Sequence, residues 1–447
     1  MPDRLFGTDG IRGKANIYPM TAEMALQVGR AAGHWFQNGS GRHTILIGKD
    51  TRRSCYMLEN ALTAGLCSAG INVLLTGPLP TPGVSYIMRS LRCDGAIMIS
   101  ASHNDYEDNG IKLFGRDGYK IPDEAEDEIE RLIRTREMDD IRPTGDEIGV
   151  ARRIDDAVGR YIEFVKASFP KGMRLDGLRI VVDCSNGATY KAGPNTLREL
   201  GAEVIAIADR PDGRNINEGV GSVHPREMAA TVIRENADLG ISFDGDGDRL
   251  IMADGRGRLL DGNALLAVLG IDRLERGALP NNMIATTIMA NGGLARALEP
   301  LGGSVVHTQV GDRYVVEAMR ERGLIIGGES SGHIIVLDHN TTGDAIIAAL
   351  QVLAIIVRKE QPLTELAHVY QEMPESHQKV PLGDRPKPAQ ASLDALVDEL
   401  RDELDGRGRV VIRPSGTEPI VRVMVQHEDA RIAQNLTRQL AERVAAM

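Results

Sequence analysis

Ile97-Met-Ile-Ser-Ala-Ser-His-Asn104 begins as a short apolar run and ends as a polar loop that presents Ser102. The run has the length and composition of a buried strand. Asp108-Asn-Gly-Ile-Lys112 follows within ten positions and brings a lysine back beside the serine. A hydroxyl at a strand end with a cation returned to it is a nucleophile mounted on an α/β sheet.

Outward from this segment the same pattern recurs. Short β-branched runs at Thr44–Ile47, Ile71–Leu75, Ala96–Ile99, Ile180–Asp183, Val204–Ala208, Leu239–Phe243, Ile284–Ile288 and Ser304–Thr308 alternate with helical patterns. Such alternation predicts α/β layers around mixed or parallel sheets. Three strands run into small polar loops, Ser100–Asn104, Asp183–Ala188 and Asp244–Arg249, and open α/β sheets bind their ligands at strand carboxyl ends.

A chain of 447 residues exceeds what one core organises, so three or four domains are expected. Pro122–Asp155 lacks a strand signal and reads as a linker helix, Asp254–Arg258 as a hairpin turn opening a third unit, and Val380–Pro388 as a proline-rich linker. The expected divisions are 1–153, 154–254, 255–370 and 371–447. The last reads as helix (Leu393–Leu404), strand (Val410–Arg413), loop, strand (Val421–Gln426) and helix (Ala430–Ala446), a small α+β domain. No exact repeat is visible, but the similar content of the larger units allows a divergent one.

Composition narrows the function. A net charge of −11 argues against nucleic acid or an anionic membrane as partner. The four cysteines have neither zinc-site nor disulfide spacing, which predicts a reducing cytoplasm. No signal-peptide pattern opens the chain. The longest apolar run, Ala345–Val357, contains Gln351 and is shorter than the roughly 20 residues of a membrane span. It reads as a buried helix started by Thr342 or Asp344 and closed by Arg358 and Lys359.

Four loops supply chemistry. Asp244, Asp246 and Asp248 alternate with glycines, so their carboxylates converge and repel unless a cation neutralises them. A calcium EF-hand is refused by Arg249 and Gly255 where Gly and Glu belong. Hard oxygen ligands beside a phosphate favour Mg²⁺. Arg413-Pro-Ser-Gly-Thr-Glu-Pro419, with Arg422 beyond it, offers guanidinium groups and hydroxyls suited to a phosphate, without being a Walker loop. In Gly327-Gly-Glu-Ser-Ser-Gly-His333, glutamate and serine can read sugar hydroxyls and His333 can exchange protons. Arg12 stands on the glycine-rich loop Gly7–Gly13 as a further phosphate contact.

Together, Leu5–Asn16, Ile99–Asn104, Asp244–Arg249, Val310–Val315, Gly327–His333 and Arg413–Pro419 resemble the motifs of the α-D-phosphohexomutase superfamily, in order and over nearly the whole chain. The resemblance is closest to the amino-sugar branch. It implies three similar mixed α/β domains and a smaller C-terminal domain around a central cleft, and interconversion of glucosamine 6-phosphate and glucosamine 1-phosphate through a 1,6-bisphosphate, supplying UDP-N-acetylglucosamine for bacterial cell walls. By similarity Ser102 is the phosphoserine and completes the Mg²⁺ shell of Asp244, Asp246 and Asp248. Arg12, Lys112 and Arg249 surround the transferring phosphoryl group, with Lys112 and His333 as proton-handling candidates. Glu329 and Ser331 read the sugar, and Arg413, Ser415, Thr417 and Arg422 hold the other phosphate. The implied partners are the phosphosugar and the bisphosphate, and a homodimer is compatible with the reading.

Asp105 departs from the family, many of whose members have proline there, and Asp312 stands where hexose mutases commonly have histidine; a carboxylate near the cleft would favour an ammonium-bearing sugar. The alternative within the family is a mutase acting on mannose or glucose phosphates. A serine hydrolase lacks support because the G-x-S-x-G elbow is absent, and a non-catalytic phosphosugar- or cation-binding module is the remaining rival.

Overall fold

The computed structural model describes residues 4–7, 9–37, 41–383, 385–400, 404, 406–415 and 419–447. Its strands form four sheets, of six, five, four and three strands in chain order. The β-branched runs are the parallel members. Thr44–Lys49 lies between Asn72–Pro78 and Gly95–Ile99, Arg179–Asp183 between Glu203–Ile207 and Leu239–Phe243, and Met283–Thr287 between Ser304–Thr308 and Ile326–Gly328. The central strands are buried almost throughout, which is why they read as continuous apolar runs rather than alternating ones.

In each of these three sheets the chain leaves a parallel strand, makes a loop and returns antiparallel beside it. Gly95–Ile99 returns as Asp108–Gly115, Leu239–Phe243 as Leu250–Asp254, and Ile326–Gly328 as Ile334–Val336. The loops between them, residues 100–107, 244–249 and 329–333, therefore occupy one topological position in three successive domains. The serine, the carboxylate triad and the Glu329–His333 segment sit on equivalent turns of a divergent repeat. The fourth sheet is antiparallel, with Ile420–His427 between Glu375–Pro381 and Gly408–Pro414, and is accompanied by helices Gln390–Glu399 and Ala430–Ala445. The architecture is thus three mixed α/β domains followed by a smaller α+β domain.

Three segments differ from the reading of the sequence. Helix Asp123–Thr135 is no free linker, since Ile129, Leu132 and Ile133 enter the core of the first domain, and Ala151–Arg153 beyond it adds a parallel edge strand next to Asn72–Pro78. Leu259–Leu260, after the Asp254–Arg258 turn, pairs back onto Leu250–Asp254 in the second sheet, with Asp254 Oδ1 accepting N–H bonds from Arg256 and Arg258. Val380 and Pro381 end the edge strand Glu375–Pro381. Edge strands are protected from pairing by polar side chains, which removes the apolar alternation by which a strand is recognised in sequence.

Helix Ala345–Lys359 ties the larger domains together. Asp344 caps it by accepting the Ile347 N–H at 3.0 Å and receives the Tyr161 hydroxyl at 2.9 Å. Its apolar side chains join a core cluster that runs from Leu46, Met98 and Phe114 in the first domain through Ile180 and Ile241 in the second to Ile284 and Ile326 in the third. The C-terminal domain has a separate core around Leu393, Val423 and Leu440. Among the described residues no helix is long and apolar enough to cross a membrane.

Candidate active site

Ser102 is buried, and its backbone is left-handed, with φ at 53°. A serine held there costs about 1–2 kcal/mol and persists only where its surroundings fix it. The Ser102 N–H donates to Ser100 Oγ at 2.9 Å, and Ser102 Oγ donates to Asp244 Oδ2 at 2.5 Å. The nucleophile candidate of the first domain thus rests directly on the carboxylate loop of the second.

That loop is built to gather charge. Asp244 Oδ1 accepts the backbone N–H groups of Gly247, Asp248 and Arg249 at 3.0, 3.1 and 3.1 Å, which curls the loop around it. Potential ligand atoms of Asp244, Asp246 and Asp248 lie within 4.8 Å of one another, and all three residues are buried. Burial, then the charges of Asp248 and Asp246, push the Asp244 carboxyl well above the usual carboxylate range. Burial would also raise Asp246, but Lys112 above all, with the Thr81 hydroxyl at 2.7 Å, holds it below that range. Asp246 Oδ1 and Asp248 Oδ1 are buried with no hydrogen-bond partner. A converging set of hard oxygens with unused lone pairs fits a divalent cation, so the triad could bind a metal.

Lys112 Nζ sits 2.9 Å from Asp246 Oδ2 and 3.2 Å from Asp9 Oδ2. Burial alone would strip its proton; Asp246, Asp9 and Asp248 reverse that and raise its pKa above the ordinary lysine value. Lys112 is therefore held as an ammonium, a source of fixed positive charge. Asp9 also pairs with Arg12 and Lys120, and Lys120 donates to both oxygens of Asp312 at 2.8 and 2.7 Å. The Asp312 carboxylate is thus compensated within the protein, which weakens the idea that it offers a free charge to an ammonium sugar.

Arg12, Ser102, Asp248, Arg249, Glu329 and His333 line one cavity of about 470 Å³ together with Asp9 and Asp312. Arg249 Nε, Arg12 Nε and both ring nitrogens of His333 are buried without hydrogen-bond partners, and Glu329 Oε1 accepts the Gly311 N–H at 3.2 Å. Ser331 is exposed and does not line this cavity. Arg413 and Arg422 are directly paired across neighbouring strands, and burial followed by the Arg422 charge lowers the Arg413 pKa, an arrangement an anion would relieve. Ser415 is buried nearby, its N–H bonded to the Ile420 carbonyl at 2.8 Å. No described residue of the C-terminal domain lines the Ser102 cavity, and Thr417 lies outside the described residues. A larger cavity of about 590 Å³, bordered by Arg30, His34 and Met138 in the first domain, contains none of these groups.

Sequence reasoning passed over Asp9, Thr81, Lys120, Arg52 and Asn217. Asp9 lies inside the quoted Gly7–Gly13 loop and was within reach; the others enter only through tertiary contacts. The Asp183–Ala188 loop holds no ligand group toward the cavity and instead buttresses the carboxylate loop, the Ala188 N–H bonding the Gly245 carbonyl at 2.8 Å.

The domain pattern and these loops have a counterpart in known proteins. Models of phosphoglucomutase/phosphomannomutase match along the chain, alpha/beta/alpha domain I over residues 3–140, domain II over 159–257, domain III over 261–373 and the C-terminal domain over 357–443. The chain belongs to the phosphoglucomutase/phosphomannomutase family. Its curated relatives place it in the phosphoglucosamine mutase branch. The phosphoglucosamine mutase of Anaeromyxobacter dehalogenans (strain 2CP-C) is 51% identical, over 100% of this chain and 98% of the relative. That of Magnetococcus marinus is 53% identical, over 95% of this chain and 88% of the relative. Among solved structures, a phosphoglucomutase/phosphomannomutase family protein from Burkholderia thailandensis superposes with a TM-score of 0.81 at 24% identity, covering 99% of this chain and 98% of that one. Aspergillus fumigatus N-acetylphosphoglucosamine mutase in complex with GlcNAc-6P and magnesium has a TM-score of 0.63 at 19% identity, covering 99% and 95%. These two likenesses establish the fold of the family member described here.

Proposed function

We propose that this enzyme interconverts glucosamine 6-phosphate and glucosamine 1-phosphate through a phosphoserine at Ser102 and a 1,6-bisphosphate, and so supplies UDP-N-acetylglucosamine synthesis. The observation that carries the reading is the 2.5 Å contact between Ser102 Oγ and Asp244, made where Arg12, Arg249, Glu329 and His333 share one cavity. Migration of phosphate between O6 and O1 spans the sugar ring, beyond any single in-line displacement. A phosphoserine resolves this. A sugar hydroxyl attacks the phosphorus, the bond from phosphorus to Ser102 Oγ breaks as the new ester forms, and the hydroxyl proton passes to a base. The bisphosphate then turns over and returns its other phosphate to Ser102 Oγ.

Mg²⁺, held by Asp244, Asp246, Asp248 and an oxygen of the Ser102 phosphate, would neutralise phosphoryl charge and polarise the transferring group. Arg12, Arg249 and the Lys112 ammonium add fixed positive charge around a phosphate that carries about −1.5 to −2 near neutral pH. His333, with both ring nitrogens buried and without hydrogen-bond partners, and Lys112 are the two proton-handling candidates; the raised pKa of Lys112 makes it a weak acid and suits it to holding charge. Glu329, on the cavity wall, reads sugar hydroxyls, and Ser331, exposed outside that wall, joins it only for a sugar that reaches beyond the cavity. Arg413, Ser415, Thr417 and Arg422 take the phosphate that is not being transferred, which requires the C-terminal domain to approach the cavity. We divide the chain into a phosphoserine domain (1–153), a metal-binding domain (154–254), a sugar-binding domain (255–370) and a phosphate-binding domain (371–447). The four free cysteines suit a reducing cytoplasm.

Side-by-side kinetics with glucosamine 6-phosphate and glucose 6-phosphate test the substrate. The expected kcat/KM ratio favours the amino sugar by at least roughly tenfold, about 1.4 kcal/mol of transition-state binding. Equal or reversed values would make the protein a hexose phosphate mutase.

A further inference from the structure

We propose that Arg52 and Asn217, reaching from two domains, form a positioning clamp on the main chain of the serine loop, and that this clamp sets the rate of phosphoryl hand-off rather than affinity for the sugar. The proposal rests on reading Ser102 as the phosphate carrier. Arg52 is fully buried, and its Nε donates to Asp50 Oδ2 at 2.8 Å. Its remaining donors end on carbonyl oxygens of one loop: Nη2 on Ser102 at 3.0 Å and Asn104 at 2.8 Å, Nη1 on Asp108 at 3.2 Å and on Asp105. Asn217 of the second domain places Nδ2 2.9 Å from each of the same Ser102 and Asn104 carbonyls.

The clamp has its own foundation. Asp50 Oδ2 also accepts the Ser100 hydroxyl at 2.7 Å, and Ser100 Oγ receives the Ser102 N–H, so both ends of the left-handed Ser102 peptide are tied to Asp50 and Arg52. Gly245 leaves the space: a Cβ there would stand 2.5 Å from the Ser102 carbonyl oxygen and 2.9 Å from the Asn217 amide nitrogen. A guanidinium buried this deeply with a single carboxylate partner is a costly way to fill volume. Its donors spread instead over the carbonyls of the segment from Ser102 to Asp108, and one of them holds the peptide whose conformation aims Ser102 Oγ at Asp244. In each catalytic cycle that oxygen must lose a phosphate and receive one from the same direction, so errors in its aim act on the transfer steps while the sugar contacts stay intact.

Asn217→Gly provides the test. Asn217 has φ at 58°, which glycine adopts freely, so the variant deletes the amide without straining the backbone. Turnover, KM, the melting transition and the rate at which glucose 1,6-bisphosphate phosphorylates Ser102, followed by intact mass, are measured beside the unaltered enzyme. The clamp predicts that kcat and the phosphorylation rate fall together by about tenfold to a hundredfold, with KM within about twofold and a cooperative melt retained. A folded Asn217→Gly enzyme with unchanged kcat and phosphorylation rate, or with a loss confined to KM, overturns it. Arg52→Lys is the second variant. An ammonium cannot reproduce the planar fork, so the same kcat-selective loss is expected, and unchanged kcat would again count against the clamp. If the unaltered enzyme takes no phosphate at Ser102, the phosphoserine reading itself fails; normal phosphorylation beside an unaffected Asn217→Gly removes the clamp alone.

Discussion

Asp246 faces three demands at once. One of its oxygens serves Lys112 and Thr81, while the other is buried and unbonded. It therefore joins the ammonium of the first domain to the carboxylate cluster of the second, which could hold a cation. Asp246→Asn keeps the shape and removes the charge, so Mg²⁺ affinity is expected to fall by at least roughly tenfold, the lower end of what loss of an outer-shell partner alone costs, with turnover falling alongside. Calorimetric Mg²⁺ titration of the folded variant checks this, and unchanged affinity would remove Asp246 from the metal set. At this scale the sequence was most legible where spacing alone dictates geometry. Three carboxylates at alternate positions in a glycine-spaced loop must converge, and a serine at a strand end must be presented. It was silent on Asn217, whose role depends on a carbonyl 115 positions away. It was silent also on Lys120, which decides that the Asp312 charge is already compensated.

Among the elements, the central parallel strands could be located from sequence because burial on both faces leaves a continuous apolar run, whereas the edge strands Ala151–Arg153 and Glu375–Pro381 are too exposed to carry that signature. The equivalence of the three functional loops was also hidden. Loops of different length and chemistry share only their place between a parallel strand and its antiparallel return. Helix Ala345–Lys359 was legible in both its burial and its cap, and the cap has a measurable consequence. Burial raises the Asp344 carboxyl to about 6, against the opposing bonds from Ile347, Asn340 and Tyr161. An unfolded aspartate titrates near 4, so the folded state binds the extra proton and stability falls as pH rises from about 4 through 6. Asp344→Asn lacks that penalty. Its destabilisation relative to the unaltered protein should be smaller at pH 8 than at pH 4, by about 2 kcal/mol for a shift of this size. Denaturant unfolding at both pH values checks the difference, and parallel losses would contradict the assigned protonation.

At the scale of the molecule, an acidic chain of net charge −11 concentrates Arg12, Lys112 and Arg249 around one serine. Asp9, Asp246, Asp248, Asp312 and Glu329 stand among these cations, so the site interleaves both signs instead of presenting bare positive charge. The shared core holds the first three domains as one body around this point, while the C-terminal domain keeps a core of its own and its paired Arg413 and Arg422 outside the cavity wall. Motif order placed the Ser102, Asp244–Asp248 and Glu329–His333 loops ahead of the Arg413–Arg422 segment; how the domains carrying them pack was not readable, because it depends on tertiary contacts. The proposed role of Ser102 as carrier of the moving phosphate underlies every other assignment at this site. Its most direct test is single turnover of phosphorylated enzyme with glucosamine 6-phosphate and Mg²⁺, followed by peptide-mapped mass spectrometry and detection of the sugar product. The expected result is that the phosphate lies on the Ser102 peptide, leaves it within a turnover and appears in glucosamine 1,6-bisphosphate, and that Ser102→Ala, though folded, neither accepts nor transfers it. A phosphate located on another residue, or one that stays on Ser102 while glucosamine 1-phosphate accumulates, would contradict it.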